Sequence, residues 1–480
     1  MSKTYRSNRQ GGFWIAMAVI WATTTIPAHA QSEFIQSTPV SREVVRPTTP
    51  TTATAAEETA PPVSPAVSPG PMSLEACLEL GNRHQPAIDA ARASLSAANS
   101  GKRGLDRLFI PRLFTPDLGI RKQQASEGIT IAEAGLVQAE WETRYSITRN
   151  FFTVQYIRAQ QEVINDVLSN LEKGTERAKK IFGDGDPDGK ITRVDLDFLD
   201  VQLGLVEKNK AQIDNGMLKA LAALREAMGL SHNYPLEIGA IGLPPAVREE
   251  IQIEKDKKGK DVKKITFHRV YKINREDLIL TALSNRGEMI QASAANRVVN
   301  LEISAQNRAL GWRVNTFGSG SDVHAKPIPQ GIFNNDYRPG AIGLEIAPTV
   351  VGRKAERVQR VTDFAARSSA VVDKTTNLIS LDVEAMYLKW QEAVTQVESL
   401  ARVVDKAIGL PKRVQELNPR EFTSTAIIQA NTVAIMVRTQ LNDALHTHAL
   451  ALAGLERATA GAFHIYPVPP VSPGVTNKTP

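Results

Sequence analysis

Six prolines show that the chain is an internal duplication. They are Pro116, Pro187 and Pro235 in the first half, and Pro348, Pro419 and Pro467 in the second. The spacing between successive prolines is identical in the two halves, and each set ends the same Gly-x-x-His-x-Tyr-Pro sequence. Because proline interrupts helices and marks turns, each half is predicted to be two long helical arms meeting at a proline-marked tip. A repeated helical hairpin favours a tube, bundle or scaffold over a catalytic pocket.

The amino-terminal thirty residues have the pattern of a secretory signal peptide. Three basic residues precede an apolar run at 13–21, and Ala-His-Ala at 28–30 has the small residues of a cleavage site. We expect residues 1–30 to be removed on export; the alternative is an uncleaved anchor. Residues 31–71 are rich in Pro, Thr, Ser and Ala and are predicted to be a disordered linker, and residues 468–480 a disordered tail.

Composition excludes several classes of function. The net charge is only +6, aromatic residues make up 6% of the chain, and no basic run is interleaved with them, so nucleic acid is not an expected partner. The single cysteine, Cys77, cannot form an internal disulfide and is predicted to be a small buried apolar residue. No phosphate loop, nucleophile elbow or zinc-protease motif is present, so we do not expect an enzyme. After the signal, no apolar run has the roughly 18 residues of a membrane helix, so any membrane crossing would use strands.

The predicted arms carry apolar residues at alternating steps of three and four, the heptad pattern of coiled coils. The first hairpin has Ile164, Leu168, Leu171, Thr175, Ala178 and Phe182, then Leu196, Leu199, Leu203, Val206, Lys210, Ile213, Met217, Ala220 and Leu224. The second has Met386, Trp390, Ala393, Val397, Leu400, Val404 and Ala407, then Leu441, Leu445, His448, Leu452 and Leu455. The sequence therefore predicts two antiparallel coiled-coil hairpins, with the first arm running from about 131 to 182 and one polar slot at Lys210.

The two repeats are predicted at 72–235 and 274–467. Ser73 has the position of a helix N-cap, and the first helix is expected to run to about residue 100. Asn274, followed by Asp277, resembles a capping box at the start of the second repeat.

The segment between the repeats, 236–273, is predicted to form a β hairpin. Its residues 250–254 and 265–271 alternate apolar and polar around a charged turn at 256–261. A further strand region is predicted at 311–352, inside the second repeat.

Three short sequences carry a resemblance to a known family. Ser-Leu-Glu-Ala at 73–76, leading to Asn82 and Pro86, looks like the opening helix of that family, and the sequences at 224–230 and 455–458 are similar to its usual repeat ends. On these residues, and over about 72 to 467, the chain resembles the TolC-like outer-membrane efflux proteins.

The resemblance implies a fold and a set of partners. The fold would be mainly α, with duplicated long coiled-coil hairpins from three copies building an α-helical barrel in the periplasm, continuous with a β-barrel in the outer membrane. The helical tips would dock on a periplasmic adaptor joined to an inner-membrane pump or exporter. The function implied is a passive trimeric conduit for efflux or type I secretion.

The sequence departs from the family where the membrane strands are expected. The second repeat offers 312–317 and 341–349 as strands, whereas the first offers only 101–117, which contains Pro111 and Pro116. Two spanning strands of about 9 to 11 residues and a loop do not fit there. We therefore expect a reduced barrel, and a non-transporting periplasmic coiled-coil scaffold or adaptor is the alternative function.

The first tip matches the calcium loop of EF-hands. The predicted ligands are Asp184, Asp186, Asp188, the carbonyl of Lys190, and Asp195, with the required glycine at position 6 of the loop and an apolar residue at position 8. Alternate carboxylates at this spacing converge on a hard cation such as Ca²⁺. The alternative is an acidic, solvated turn between two helices.

The same tip offers candidates for a channel constriction. The resemblance implies that acids near the tip can line the periplasmic end of the conduit, and Asp195 matches the family's Asp after the hairpin turn. Asp197 and Asp200 lie off the apolar seam and are predicted to face the lumen. The alternative is a solvated helix N-terminus, which favours acids through the helix dipole.

Overall fold

The computed structural model describes residues 70–108, 116–183, 191–255, 261–309, 313–316, 349–416 and 424–463. The predicted signal peptide, most of the linker, the tail and the tip prolines Pro187 and Pro419 lie outside these ranges. The helices are α1 (Leu74–His84), α2 (Pro86–Arg107), α3 (Leu118–Gly183), α4 (Arg193–Ala227), α5 (Arg275–Asn285), α6 (Gly287–Arg308), α7 (Lys354–Gln415) and α8 (Ser424–Ala458). The strands are β1 (Val247–Lys255), β2 (Asp261–Arg269), β3 (Arg313–Thr316) and β4 (Thr349–Gly352).

The helix lengths confirm the duplication and both predicted hairpins. Helices α1 and α5 each have 11 residues, α2 and α6 each have 22, and α4 and α8 each have 35. The long arms α3 and α7 have 66 and 62 residues, so each is roughly 95 to 100 Å long at 1.5 Å per residue. The two opening helices start at Leu74 and Arg275, and the two returning arms start at Arg193 and Ser424. The starts of the returning arms are further apart in the sequence than the starts of the opening helices. The extra residues of the second repeat therefore lie between its opening helices and its hairpin.

The prediction of one opening helix from Ser73 to about residue 100 is wrong. Ser73 does cap the helix, its hydroxyl accepting from the N–H of Ala76 at 3.2 Å, but α1 ends at His84 and α2 begins at Pro86. Proline has no N–H for the helical ladder and disfavours the helical conformation of the residue before it. Gln85 is accordingly extended, with φ −75° and ψ 116°, and the chain turns there.

The second repeat breaks at the equivalent place without a proline. Arg286 is extended between α5 and α6, and a Cβ on Gly287 would lie 2.4 Å from the carbonyl oxygen of Ala134. The glycine therefore permits α6 to approach α3 closely. At the start of α5, Asn274 accepts from the N–H of Glu276, and Asp277 accepts from the Asn274 side chain at 2.9 Å. Asn274 is therefore the N-cap, but the bonds differ from the predicted capping box, because Asp277 binds the side chain of Asn274.

The first arm begins at Leu118, well before the predicted start near Ile131. The stretch before Ile131 is largely polar, so its periodicity is weak. Tertiary contacts stabilise it instead, because Gln124 donates to Glu302 of α6 at 2.8 Å and to the carbonyl of Val298 at 3.1 Å. Packing against α6 therefore decides where this helix starts.

The glycine of the repeated Gly-x-x-His-x-Tyr-Pro sequence ends each hairpin. Gly229 and Gly461 follow α4 and α8 with φ of +69° and +75°, the left-handed region that favours glycine. A Cβ on Gly229 would lie 2.3 Å from the carbonyl oxygen of His84, and one on Gly461 would lie 2.0 Å from the ring of Trp141. Both glycines are therefore required by conformation and by space.

The predicted seam between α3 and α4 forms a buried cluster that includes Leu171, Leu199 and Val206. Lys210 fills the polar slot by pairing with Asp214 at 3.0 Å, and Asp214 also accepts from Gln161 of α3. The two arms of the first hairpin are thus joined here by apolar packing and by a polar bridge at Asp214.

The single cysteine has the role predicted for it. Cys77 lies on α1 and is fully buried in the core, and burial raises the pKa of its thiol to about 12. The thiol therefore behaves as a small apolar group.

The β structure of the described residues consists of two small antiparallel pairs. Strands β1 and β2 form the predicted hairpin, with Val247 opposite Arg269 and Lys255 opposite Asp261. Strand β3 confirms the strand predicted at 312–317, and it pairs with β4. The strand predicted at 341–349 lies outside the described residues except for Thr349.

Candidate functional site

Within the residues that the structure describes, the helices of one chain form rows, and each row has two edges without a further helix. In the half of the hairpins nearest their tips, the order of packing is α4, α3, α8, α7; in the other half it is α2, α3, α6, α7. Tyr156 of α3 donates to Asp443 of α8 at 2.6 Å, and Arg438 of α8 pairs with Asp166 of α3 at 2.7 Å. Helix α7 therefore lies at one edge throughout, and α4 and α2 lie at the other.

Burial differs between equivalent helices of the two repeats. One of the 22 residues of α2 is buried, against eight of 22 in α6. Five of the 35 residues of α4 are buried, against 15 of the 34 residues of α8 whose burial is described. Since equivalent helices have equal length, the difference reflects position: α6 and α8 are interior to the rows, and α2 and α4 have no neighbour on one side within the described chain.

Helix α4 carries a second apolar seam on the side away from α3. It consists of Val194, Phe198, Val201 and Leu205, which are 75%, 49%, 58% and 45% exposed. Their spacing of four, three and four places them on one face of the helix, the pattern that interlocks with another α-helix. We call these four residues the α4 edge seam.

The seam belongs to the first repeat alone. Because α4 and α8 have the same length, their positions can be matched from the first residue of each helix. At the positions that match the seam, α8 has Thr425, Gln429, Thr432 and Met436. The duplication therefore did not preserve this apolar edge in α8, which is interior to the row.

The predicted tip acids are only partly brought together. Asp195 and Thr192 form a capping box, in which Asp195 Oδ2 accepts from the Thr192 N–H at 2.9 Å and hydroxyl at 2.6 Å. Asp200 pairs with Lys179 of α3 at 3.1 Å, and Asp197 is exposed. Asp195 therefore caps the start of α4, and its position at a channel constriction stays a prediction.

Four of the five predicted calcium ligands lie outside the described residues. They are Asp184, Asp186, Asp188 and Lys190. Among the residues that the structure describes, no group of three or more His, Cys, Asp or Glu residues is placed to hold a metal ion. The calcium loop therefore stays a prediction.

A buried charged cluster joins the two repeats and was not predicted from the sequence. Asp382 of α7 accepts from Arg286 at 2.7 Å and from Arg457 of α8 at 2.8 Å. Arg286 also pairs with Glu288 at 2.8 Å, and Arg457 with Glu142 of α3 at 2.8 Å. Burial alone would lower the pKa of both guanidinium groups, but the neighbouring carboxylates raise it above the ordinary arginine value.

At the positions equivalent to Arg286 and Asp382, the first repeat has two amide side chains. Gln85, which like Arg286 stands between the two opening helices of its repeat, donates to the carbonyl of Ala227 at 3.0 Å. Asn150, which matches Asp382 when the repeats are aligned on their prolines, donates to the carbonyl of Ala223 at 3.2 Å. A comparison of the two repeats could therefore have indicated the cluster from the sequence. Gln85 and Asn150 of the first repeat correspond to Arg286 and Asp382 of the second.

A second buried network holds the row of helices far from the tips. Glu302 of α6 accepts from Arg121 of α3 at 3.1 Å and from Gln306 at 2.6 Å. Gln306 accepts in turn from Arg357 of α7, which is fully buried and also donates to the carbonyl of Gly352 at 2.7 Å. The chain of hydrogen bonds crosses three helices of the row, so it fixes their relative register.

No described helix contains a stretch long and apolar enough to cross a membrane.

No protein-family model and no curated protein matches the chain.

Solved structures do match. The outer-membrane channel OprN aligns with a TM-score of 0.60 at 12% identity, covering 81% of this chain and 90% of OprN. The outer membrane protein VceC of Vibrio cholerae aligns with a TM-score of 0.57 at 14% identity, covering 82% of this chain and 97% of VceC. The chain has the fold of these outer-membrane channels. The open state of the Neisseria gonorrhoeae MtrE channel shares this channel fold, with a TM-score of 0.54 at 14% identity over 81% of this chain and 89% of MtrE.

The channel fold confirms the TolC-like resemblance at the level of architecture, with its mainly α-helical, hairpin-built form. The matched structures are channels, in keeping with the expectation that the chain is not an enzyme.

Proposed function

We propose that this protein is the outer-membrane channel of an efflux or type I secretion system. In this proposal three copies form a passive conduit that docks on a periplasmic adaptor and serves an inner-membrane pump. The signal peptide predicted at 1–30 supports export, and the shared fold of OprN, VceC and MtrE supports the conduit.

The observation that carries the proposal is the pair of free edges. A row of helices with α4 and α2 at one edge and α7 at the other presents two different surfaces. Contacts between two different surfaces of identical chains generate a ring when the rotation closes. The α4 edge seam supplies the apolar side of this contact, and exposed Leu381 and Leu388 supply apolar surface on α7.

The tips belong to the same proposal. Asp195, Asp197 and Asp200 would line the periplasmic end of the conduit, where Lys179 already pairs with Asp200. We further propose that Asp184, Asp186, Asp188, Lys190 and Asp195 bind Ca²⁺ and join the two arms of the first hairpin, supported by the ligand spacing in the sequence.

Fractionation combined with electron microscopy tests the function. A conduit should sediment with the outer membrane, require detergent for extraction, and show a ring of three copies with a central lumen in cross-section. Release in soluble form without detergent, as a particle without a lumen, would instead favour the periplasmic scaffold.

A further inference from the structure

Four helix ends meet at the end of the rows that lies away from the hairpin tips. Helices α2 and α6 end there, and α3 and α7 begin there. Lys122 of α3 donates to the carbonyl of Asp106 in α2 at 3.3 Å, and Arg357 of α7 donates to the carbonyl of Ala309, just beyond α6, at 3.5 Å. The described residues of this end are 100–108, 116–126, 300–309, 313–316 and 349–362.

This end, which we call the basic end, has a strong excess of positive charge. Its segments contain eleven Lys or Arg residues and four Asp or Glu residues. The described segments nearest the tips contain eight Lys or Arg and seven Asp or Glu residues in almost the same total length, at 172–183, 193–203, 404–416 and 424–436. The excess therefore belongs to one end of the molecule, although the whole chain has a net charge of only +6.

Three of the four acids at the basic end are paired within the chain. Asp117 and Glu302 are buried, and both pair with Arg121. Asp106 pairs with Lys102 at 2.6 Å. Six bases of this end are exposed, namely Arg103, Arg107, Arg308, Arg353, Lys354 and Arg360. The acids are thus largely engaged inside the chain, while the bases form its surface.

Helix capping accounts for only some of these bases. Arg107 and Arg308 lie in the last turns of α2 and α6, where the helix dipole favours a cation. Arg353 and Lys354 lie at the start of α7, where the dipole disfavours a cation and favours an acid. Glu356 is the acid there, and it accepts from the N–H of Arg353 at 3.0 Å. A negatively charged partner accounts for the bases at both kinds of helix end.

We propose that the basic end binds the headgroups of anionic phospholipids. The proposal rests on the proposed function, in which the tips face the adaptor and the opposite end faces the outer membrane. Clusters of Lys and Arg beside a membrane attract anionic headgroups over about a Debye length. Five of the six exposed bases are Arg, whose planar guanidinium group donates two parallel hydrogen bonds to a phosphate. In the ring, the bases of all copies form a collar that holds the helices at a fixed depth against the membrane surface.

Lipid retention tests the collar in the full chain. The protein is solubilised in detergent micelles that contain anionic phosphatidylglycerol and zwitterionic phosphatidylcholine in equal amounts, with identical acyl chains. The lipids that stay bound after size-exclusion chromatography are quantified by mass spectrometry. We expect phosphatidylglycerol to be retained at least about fivefold more than phosphatidylcholine. The preference should fall at least about threefold when NaCl is raised from about 0.05 M to about 0.5 M, because salt screens exposed charges.

Two variants with equal changes in charge locate the binding. The test variant removes four exposed bases of the basic end, by Arg103→Gln, Arg107→Gln, Arg353→Gln and Lys354→Gln. The control variant removes four exposed bases near the tips, by Lys173→Gln, Lys180→Gln, Lys406→Gln and Lys412→Gln. The test variant should retain the two lipids about equally, and the control should keep the preference of the unmodified chain. Circular dichroism checks that both variants fold, and if either does not, the salt dependence of the unmodified chain decides.

Equal retention of the two lipids by the unmodified chain overturns the proposal, even if a soluble polyanion such as heparin binds there. A preference that does not respond to salt, that remains in the test variant, or that falls equally in the control also overturns it. Fractionation and electron microscopy judge the proposed function separately. A ring with a lumen in the outer membrane but without the lipid preference overturns the collar alone, whereas release in soluble form overturns the conduit and the collar with it.

Discussion

Asp382 and Arg457 form an ion pair of 2.8 Å between α7 and α8, with each side chain no more than 5% exposed. Arg286 binds the same carboxylate, so one acid pairs with two buried guanidinium groups from different elements. A buried charge without its partner is far less stable than an exposed one, because water no longer solvates it.

Replacing Asp382 by Asn should therefore destabilise the protein strongly. We expect a loss of about 3 kcal/mol in the free energy of unfolding, since each buried arginine would lose one of its two carboxylate partners and keep only Glu288 or Glu142. Urea denaturation followed by circular dichroism measures it. The matched control is Asp200→Asn, which removes a half-exposed ion pair with Lys179 and should cost less than about 1 kcal/mol. Equal losses in the two variants would contradict the account of the cluster.

Gly229→Ala should be poorly tolerated. The substitution places a Cβ 2.3 Å from the His84 carbonyl oxygen at a φ of +69°, so we expect a loss of at least about 2 kcal/mol in the free energy of unfolding. Gly101→Ala is the control, because Gly101 lies inside α2 with nothing within 4 Å of its added Cβ. That change should stabilise by about 1 kcal/mol, and thermal denaturation of the two variants would show opposite shifts.

Phe198→Glu should weaken the ring without unfolding the chain. Phe198 is 49% exposed in one chain, so a charge there is solvated in the monomer and buried only on assembly. We expect a loss of about 2–3 kcal/mol at each junction. Light scattering coupled to size-exclusion chromatography measures the mass. Gln429→Glu, at the equivalent exposed position of α8, should leave the mass unchanged, and an intact ring in the Phe198 variant would count against the α4 edge seam.

Acidification should destabilise the protein between pH 6.5 and 4. Burial lowers the pKa of His448 from 6.5 to about 4, against the opposing influence of the Pro244 carbonyl. In that window the unfolded chain takes up a proton that the folded chain does not, so stability falls as the pH falls, by on the order of 3 kcal/mol.

His448→Leu should remove that share of the pH dependence. His446, whose pKa burial also lowers to about 4, should retain its own share. The control is the unmodified protein measured in the same series. The measurement is the free energy of unfolding at pH 7, 5.5 and 4. If its dependence on pH is the same in the His448 variant as in the unmodified protein, His448 is not the group responsible.

Calcium should bind to the first tip. Titration calorimetry of the full chain with Ca²⁺ should show a saturable signal, and Asp188→Asn should lower the affinity at least about tenfold by removing a charged ligand. Asp197→Asn, outside the loop's ligand positions, should have no effect. Absence of a signal in the unmodified chain would leave the acidic-turn interpretation.

Periodicity predicted the hairpins because a continuous apolar seam, such as Leu199 and Val206 against Leu171, is a local property of the sequence. The start of α3 could not be predicted in the same way, since Gln124 is held by Glu302, which is remote in the sequence. The break at Gln85 could have been predicted from Pro86, whereas the break at Arg286 depends on the contact between Gly287 and α3.

The buried charges were hidden for a different reason. Arg and Asp are usually exposed, so Arg286 and Asp382 suggest surface when each is read alone. The free edges were hidden as well, because α2 and α6 have the same length and only the packing of the folded chain shows that one is interior.

The two opening helices are closer to each other in the sequence than the two returning arms are. This difference between the repeats has a practical consequence. The repeats differ in the length of one joint, between α6 and α7 in the second repeat and between α2 and α3 in the first, while the helices on both sides have nearly the same sizes. That joint spans 309–353, whereas its counterpart in the first repeat spans only 108–117. The short joint is therefore where an engineer should graft a reporter peptide, since the molecule already shows that its counterpart accommodates a much longer one.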